Sequence, residues 1–305
     1  MNILIIGASG FIGGHILKVA KSRGHKVALA LRNFSKLECI NVNQKIPLNK
    51  HEFITSLIKL NNEQNIDMVI HAAGVINVRK SESKSINAEL TRLILEGLSR
   101  LDNHPRLVYI SSVSAINSLG VYGLDKRKSE ELIVNNYDNW TILRPALVYG
   151  AGDKKNIGTL IKIVKLFPII PVFRESITLQ PLHIDDLVHV ILRLSPYLGK
   201  NRIYTLAGPQ QQSFIYIVNA IISATKSSAL IILISLKSFR RLIYVASKII
   251  FFYRFPVQQI SGLSDHAPWD ISLARQELGF NPRAFDEGIV QVVDNFEQGD
   301  VDGQG

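Results

Sequence analysis

Cysteine is almost absent, because Cys39 stands alone among 305 residues. A lone cysteine excludes an internal disulfide framework and a cysteine-based metal site, which fits a reducing compartment. Charged residues interrupt every apolar run well short of the ~20 residues that a membrane-spanning helix needs, so we expect no transmembrane segment. The first apolar run begins at residue 2, so we expect no signal or transit peptide and a cytoplasmic protein.

Acidic residues are scarce except at the carboxyl-terminal end. The formal net charge is +10, and residues 286–305 hold six acidic and no basic residues, which leaves +16 on residues 1–285. Such a basic surface suits nucleic acid, polyanionic nucleotide sugars or an anionic membrane. We find no nucleic-acid recognition motif, so we predict no nucleic-acid partner. We expect residues 286–305 to form a solvated, mobile tail.

Strands and helices alternate regularly over residues 1–150. With 47% hydrophobic residues the chain can bury a large core, and the alternation predicts one doubly wound α/β unit with a parallel sheet. We expect late strands near 178–207 to return to that sheet. Residues 151–285 would then form mainly a smaller lobe.

A glycine-rich turn joins the first predicted strand to the first predicted helix. Gly7 permits a tight turn, Gly10 lets backbone amides approach a pyrophosphate, and Gly13 lets the helix pack closely on the strand. The Gly-x-x-Gly-x-x-Gly spacing meets the generic dinucleotide fingerprint only in part, and a simple tight turn is the other interpretation. We predict a dinucleotide-binding loop made of Gly7, Ser9, Gly10, Phe11, Ile12 and Gly13.

No carboxylate follows the second predicted strand, where an acidic residue would bind an unphosphorylated ribose. Arg32 and Lys36 stand there instead. A guanidinium holds a 2′-phosphate through paired hydrogen bonds. We therefore expect a preference for NADP(H), with NAD(H) as the alternative; a solvated surface arginine is the other interpretation of Arg32.

A serine, a tyrosine and a lysine follow an apolar, β-branched run that ends at Ser112. That run is typical of a buried parallel strand, and ligands of open α/β sheets bind at the carboxyl ends of such strands. Tyr122 and Lys126, four residues apart, share one helix face. A phenol exchanges a proton with a secondary alcohol, a nearby lysine lowers the phenol pKa, and a serine hydroxyl bonds the same substrate oxygen. We predict a hydride-transfer site with Ser112, Tyr122 and Lys126 as catalytic residues; taken alone, the Tyr–Lys spacing also fits a surface helix.

These segments together resemble the extended short-chain dehydrogenases/reductases of the NAD-dependent epimerase/dehydratase family, over almost the whole chain. That family implies a Rossmann-type doubly wound parallel sheet with a smaller carboxyl-terminal substrate-binding lobe. Two later segments resemble bacterial members that sit with surface-polysaccharide enzymes. The segments that carry the resemblance are 7–13, 67–74, Asn87, Ser111 and Ser112, Tyr122 with Lys126 and Glu130, 143–150, 180–186 and 274–283.

The resemblance implies roles for single residues. Tyr122 looks like the general acid/base, Lys126 like the residue that holds the nicotinamide ribose, and Ser112 like the partner of the substrate hydroxyl. Asn87 matches a position that supports the active-site backbone, although an ordinary helix-initiating asparagine fits equally. Apart from the resemblance, Arg144 stands at the end of another predicted strand near the same edge, where it could contact a substrate phosphate or pair with a carboxylate. Ala72, Ala73 and Gly74 would line the nicotinamide end of the cofactor groove, and Asn87, Arg144 and Asn156 are the candidate substrate-binding residues.

The resemblance also implies a substrate class. Most members act, or are presumed to act, on nucleotide-linked sugars, so we expect an NADP(H)-preferring reductase or epimerase at a secondary alcohol or ketone. Val113 and Ser114 stand where sugar 4,6-dehydratases carry an acidic pair, which argues against a dehydratase. Dimerisation through two helices is common in the family. The alternative is a non-catalytic dinucleotide-binding subunit, similar to the accessory subunit of respiratory complex I, which needs neither Tyr122 nor Lys126.

In residues 229–253, basic side chains fall on one face of a helix and apolar side chains on the opposite face. The pattern predicts a basic amphipathic helix. Two interpretations stay open, since such a helix packs its apolar face on the core or contacts the inner membrane leaflet.

His183, Asp185 and Asp186 form a polar cluster. Two ligands at alternating strand positions do not make a metal site, so we predict no metal.

Overall fold

The computed structural model describes residues 1–32, 42, 44–74, 86–117, 120–173, 177–194, 198–235 and 268–301. The chain forms two compact units. The first unit contains Met1–Ala146, Ile184–Leu206 and Asp270–Asn281, and the second contains Leu147–His183, Ala207–Trp269 and Pro282–Gly305. Lys36, Cys39 and most of 229–253 lie outside the described residues.

The described strands are short. They are β1 Asn2–Ile6, β2 Lys26–Leu31, β3 Gln44–Pro47, β4 Met68–His71, β5 Arg106–Ile110, β6 Trp140–Pro145, β7 Val148–Tyr149, β8 Ile169–Phe173, β9 Thr178–Leu179, β10 Leu182–His183, β11 Arg202–Leu206, β12 Gln212–Ser213 and β13 Leu230–Ile234.

The helices separate most of these strands. In the described part of the chain they are α1 Phe11–Ser22, α2 Phe53–Gln64, α3 Ile86–Leu98, α4 Gly120–Asn136, α5 Ile157–Leu166, α6 Ile184–Arg193, α7 Phe214–Ala224, α8 Ser272–Leu278 and α9 Phe285–Val301.

A parallel sheet organises the first unit. In the described residues it has seven strands in the order β11-β6-β5-β4-β1-β2-β3, and each neighbouring pair is parallel. The strand order reverses between β1 and β4, and ligands of doubly wound sheets bind at the carboxyl ends of the strands beside such a reversal. The predicted α/β fold class with a parallel sheet is confirmed.

The central strands are apolar on both faces because helices cover both sides of a parallel sheet. Leu4 and Ile6 of β1 pack in one cluster with Phe53 of α2, Ile94 of α3 and Ile133 of α4. Helix α1 packs against α6. The sheet and its helices therefore hold the ends of β1, β4 and β5 in fixed positions.

The second unit has three two-stranded sheets among its described residues. The pairs are β7 with β10, β9 with β12, and β8 with β13. Helices α5, α7 and α9 share one apolar core, to which Ile161, Ile217 and Ile289 belong. The strands at 178–183 therefore pair inside this unit, whereas the sequence predicts that they return to the central sheet. Of the late strands expected near 178–207, Arg202–Leu206 does join the central sheet, where it pairs with β6.

The structure corrects two expectations about the carboxyl-terminal third. Leu230–Ile234 is a strand, because this β-branched run pairs in parallel with Ile169–Phe173; residues 236–253 of the predicted amphipathic helix lie outside the described residues. The expected mobile tail begins instead as helix α9. Its apolar residues recur at helical spacing, so Ile289, Val292 and Val293 are buried in the second unit.

Among the described residues, no helix has the length and apolar content required to cross a membrane.

Candidate active site

The glycine turn leads from the carboxyl end of β1 into α1. Gly7 has a φ of +95°, and a Cβ added there would lie 2.5 Å from the backbone nitrogen of Ala73. A Cβ added at Gly13 would lie 2.2 Å from the Gly7 carbonyl oxygen. The loop therefore packs directly on the segment after β4 and on the first turn of α1, and both contacts require glycine.

The amino terminus of α1 presents backbone N–H groups at the same edge. Gly10 is the N-cap, and no side chain caps this end in the described residues. Uncapped N–H groups and the positive end of the helix dipole bind anions such as a pyrophosphate. This geometry fits the pyrophosphate of a dinucleotide, and Ser9, Phe11 and Ile12 lie in the same turn.

Gly13→Ala should lower dinucleotide affinity by more than about tenfold, because its Cβ displaces the Gly7 carbonyl or the start of α1. Gly14→Ala is the matched control, since its Cβ would meet the Ala8 oxygen at an ordinary 3.4 Å. Titration of NADH and NADPH into both variants measures the difference. Equal affinities in the two variants would contradict this account of the loop.

Lys126 lies at the carboxyl ends of β4 and β5. Its Nζ donates to the Ile110 carbonyl at 2.7 Å and lies 4.6 Å from the Tyr109 ring centroid. A Cβ added at Gly74 would be 3.2 Å from Nζ, so the lysine reaches the segment 72–74. Burial lowers the Lys126 pKa to about 8, although Asp125 and Glu130 act in the opposite direction. The ammonium group therefore keeps its charge at neutral pH.

Tyr122 meets Ser112 at the same edge. The Ser112 hydroxyl is close enough to Tyr122 to lower the pKa of the phenol by hydrogen bonding, and the Lys126 Nζ lies 6.0 Å from the Tyr122 ring centroid. Burial raises the Tyr122 pKa to about 12, against the lowering effect of the bond to Ser112. From the sequence we expected Lys126 to lower the pKa of Tyr122. In the structure the pKa is raised, because the loss of hydration on burial is the largest effect. The structure thus brings Ser112, Tyr122 and Lys126 together, with the tyrosine protonated at neutral pH.

Ser112 is held by the turn that follows β5. Its Oγ accepts a hydrogen bond from the Ser114 backbone N–H at 3.2 Å and lies 3.3 Å from Ser114 Oγ. Val113 begins a short 3-10 helix and is buried. Neither Val113 nor Ser114 supplies a carboxylate beside Ser112.

Glu130 joins α4 to β5 and β6 through a buried polar network. It accepts hydrogen bonds from Arg144 Nε at 2.9 Å, from Arg144 Nη2 at 2.6 Å and from Ser111 Oγ at 2.5 Å. The Glu130 and Arg144 side chains are 3% and 13% exposed. The sequence left two roles open for Arg144, and the structure shows the ion pair with a carboxylate, that of Glu130.

Asp125 is a buried carboxylate that the sequence analysis did not identify. It accepts from the backbone N–H of Asn87 at 3.1 Å and from that of Ala88 at 3.3 Å, so it binds the first turn of α3. Asn87 is itself buried, and its Oδ1 would lie 3.6 Å from a Cβ added at Gly74. Asp125 thereby fixes α3 beside Lys126.

His71, the last residue of β4, is fully buried. Thr91 Oγ1 donates to the Asn87 carbonyl at 2.8 Å and therefore accepts from His71 Nε2, which lies 3.2 Å away. Burial, and secondarily the Lys126 charge, lower the His71 pKa to about 3. The imidazole is therefore neutral at physiological pH and is no acid for a reaction at this edge.

Two other predicted site residues have different surroundings. Arg32 is exposed and follows the carboxyl end of β2. Asn156 is exposed in the second unit, next to α5, where Asp153 accepts from the backbone N–H groups of Lys155, Asn156 and Gly158. The structure therefore shows no contact that assigns Asn156 to a site.

The polar face of α4 gives a signal that sequence analysis could have used. Tyr122, Asp125, Lys126, Ser129 and Glu130 recur at spacings of three and four, so they share one helix face. Of these, Asp125, Lys126, Ser129 and Glu130 are buried. A buried helix face made of charged residues indicates a site more than a packing surface.

Comparison with known proteins identifies the family. The model of the NAD dependent epimerase/dehydratase family matches residues 3–207. The chain therefore belongs to this family, and the predicted resemblance is confirmed. The matched range includes the glycine turn, Ser112, Tyr122 and Lys126.

Individual relatives are distant. The chain is 24% identical over 233 residues to NADH dehydrogenase [ubiquinone] 1 alpha subcomplex subunit 9, mitochondrial, of Dictyostelium discoideum, with 72% of this chain and 63% of the relative covered. It is 25% identical over 207 residues to the ceramide reductase of Caulobacter vibrioides, with 65% and 62% covered. The chain thus spans less than two thirds of the length of either relative.

The fold has well-matched solved counterparts. The UDP-glucose 4-epimerase of Thermotoga maritima, solved with UDP-glucose, superposes with a TM-score of 0.74 at 18% identity. The match covers 98% of this chain and 99% of that one. At this identity the likeness establishes the fold.

Proposed function

We propose that this protein is a nicotinamide-dependent oxidoreductase or epimerase that acts on a secondary alcohol or ketone of a nucleotide-activated sugar, with Tyr122 as the general acid/base. The observation that carries the proposal is the Ser112–Tyr122–Lys126 arrangement at the carboxyl edge of the sheet. The glycine turn beside it fits a dinucleotide. The full-length likeness to a UDP-glucose epimerase supports a nucleotide sugar as the substrate class.

The three side chains have complementary tasks. When bound, the nicotinamide supplies or accepts a hydride at the reacting carbon. Tyr122 gives its phenolic proton to the carbonyl oxygen during reduction, and Ser112 donates a hydrogen bond to the same oxygen. Lys126 would hold the cofactor ribose and, through its positive charge, would stabilise the phenolate that Tyr122 becomes.

The protonation state of Tyr122 suits the acid role. A phenol with a pKa near 12 holds its proton at neutral pH, so Tyr122 can donate to the carbonyl oxygen in a reduction; in an oxidation the same group, as phenolate, accepts the proton. Arg32 makes a reductase the leading form of the proposal, because a reductase draws on the reduced NADP pool. An epimerase, which needs both directions, is the second.

A second candidate is a cofactor-binding subunit without turnover. The similarity to a subunit of NADH dehydrogenase favours it, and such a protein would use the glycine turn alone. Against it, α4 buries Lys126 beside Tyr122. Burying an amine is costly, and a purely structural subunit gains nothing from it.

Turnover on a panel of substrates tests the proposal. Nicotinamide absorbance is followed on the purified chain given NADPH or NADH with UDP-, GDP- and dTDP-linked 4-keto sugars, and with a keto form of ceramide as a lipid arm suggested by the reductase relative. The matching 4-hydroxy sugars are incubated with NAD⁺ or NADP⁺, and the products are analysed for epimers. Oxidation of the cofactor with one 4-keto sugar supports a reductase, whereas conversion of a 4-hydroxy sugar to its epimer without net change of the cofactor supports an epimerase. Tight cofactor binding with no conversion of any compound would favour the non-catalytic subunit, and cofactor oxidation with the keto form of ceramide alone would overturn the sugar assignment.

We propose that Arg32 determines the choice between NADP(H) and NAD(H). The family is NAD-dependent by its description, whereas Arg32, exposed directly after β2, favours a 2′-phosphate. Arg32→Asp should weaken NADPH binding by about tenfold or more and leave NADH binding equal or tighter. Lys26→Asp, at the opposite end of the same strand, is the charge-matched control. If Arg32→Asp and Lys26→Asp have the same effect on NADPH affinity, Arg32 does not bind the cofactor phosphate.

A further inference from the structure

The second unit exposes an apolar sheet face that its own described residues do not cover. In the pair of β8 and β13, Leu230 lies opposite Ile169 and Ile232 opposite Pro171. Ile169, Leu230 and Ile232 are 51%, 68% and 46% exposed. Parallel strands are normally buried on both faces, so this exposure is unusual.

The alternation of the two strands separates this face from the core. Ile170 and Val172 of β8 point into the apolar core of the unit, and Ile231 of β13 packs against it. Side chains alternate along a strand, so Ile169, Leu230 and Ile232 point away from that core. Leu233, on the other side of β13, is also 45% exposed. We call these three residues, with exposed Leu166 and Phe167 before β8, the β8–β13 face.

Lysines border the β8–β13 face. Lys162 and Lys165 are exposed on α5, and Lys226 is exposed after α7. Two hydrogen bonds join these segments, from Ser227 Oγ to the Val164 carbonyl at 2.9 Å and from the Leu230 N–H to the Pro168 carbonyl at 2.8 Å. The lysines and the apolar residues therefore lie at one end of the unit.

The surrounding sequence has almost no negative charge. No acidic residue occurs in the described ranges 154–173 and 207–235, which hold four lysines and one lysine. The unit therefore combines an exposed apolar face with a basic rim. An anionic lipid surface accepts both features, because the apolar residues enter the headgroup boundary while the lysines meet the phosphates.

We infer that the β8–β13 face docks on an anionic membrane surface. A second copy of the chain fits less well, because a symmetric contact would bring two lysine rims together. Nucleic acid fits less well too, since exposed Leu and Ile side chains gain little from a phosphate backbone. Docking would hold the protein at the bilayer without a spanning helix.

Vesicle flotation of the full chain tests the inference. The wild-type protein should float with vesicles of phosphatidylglycerol and phosphatidylcholine, should not float with phosphatidylcholine alone, and should lose binding as salt rises. Leu230→Ser with Ile232→Ser should lower partition by at least about tenfold. Val290→Ser is the matched control, because Val290 is 48% exposed on α9, and it should bind as wild type does.

A fluorescence variant covers the case in which the double variant fails to fold. Leu230→Trp keeps an apolar side chain on the face, and its emission should shift to shorter wavelength with anionic vesicles only. Absence of wild-type binding, unchanged binding of a folded double variant, or no shift in Leu230→Trp would overturn the inference. Light scattering that shows a dimer lost in the double variant would assign the face to contact between copies. Loss of oligonucleotide binding in that variant would assign it to nucleic acid.

Discussion

Tyr122→Phe should reduce turnover by between about 10² and 10⁴-fold while leaving the dissociation constant of the cofactor nearly unchanged. In the proposed mechanism the phenolic oxygen exchanges a proton with the substrate, and the Ser112 hydroxyl is close enough to lower its pKa. Removing one oxygen atom preserves the packing of the ring. Steady-state rates on the substrate found in the panel, together with cofactor titration, measure both quantities.

A second tyrosine provides the control for this substitution. Tyr216 donates its hydroxyl to Asp286 in the second unit, and Tyr216→Phe makes the same chemical change far along the chain. Its turnover should stay close to that of wild type. If Tyr122→Phe turns over as fast as Tyr216→Phe, Tyr122 is not the acid/base and the subunit interpretation gains support.

Glu130→Gln should lower the free energy of unfolding by about 3 kcal/mol, because it leaves the Arg144 guanidinium buried without a charged partner. The pair is bidentate, with distances of 2.9 and 2.6 Å, and Ser111 also loses its charged acceptor. Denaturant unfolding of the purified variant measures the change.

The neighbouring residue supplies a matched control on the same helix. Glu131 pairs with Arg127 at 3.1 Å, but these side chains are 57% and 45% exposed. Glu131→Gln should therefore lower the free energy of unfolding by less than about 0.5 kcal/mol. Similar losses in the two variants would show that burial does not strengthen the Glu130–Arg144 pair.

Local patterns were sufficient to predict the parallel sheet and the proximity of Ser112, Tyr122 and Lys126. The glycine turn stands between an apolar strand and an amphipathic helix, and Tyr122 and Lys126 are one helical turn apart. Such features depend on neighbours in the sequence. The structure places Ser112, Tyr122 and Lys126 together for the same reason, since Ser112 lies in the turn directly after β5 and α4 begins eight residues later.

Features that depend on distant partners were not predictable in this way. Asp125 binds the backbone N–H of Asn87, 38 positions away, and only the packing of α3 on α4 brings them together. Leu230–Ile234 belongs to a segment whose spacing predicts a helix, but it forms a strand because it pairs with β8. In α9 the acidic residues suggested a mobile tail, whereas the spacing of Ile289 and Val293 buries one face.

Transfer of deuterium from nicotinamide labelled at C4 tests the central claim most directly. The chain is mixed with the labelled reduced cofactor and a 4-keto nucleotide sugar for a single turnover, and the product is analysed by mass spectrometry. Our account predicts one deuterium on the former carbonyl carbon with wild-type protein and almost none with Tyr122→Phe in the same time. Bound cofactor with no labelled product from any sugar of the panel would contradict it.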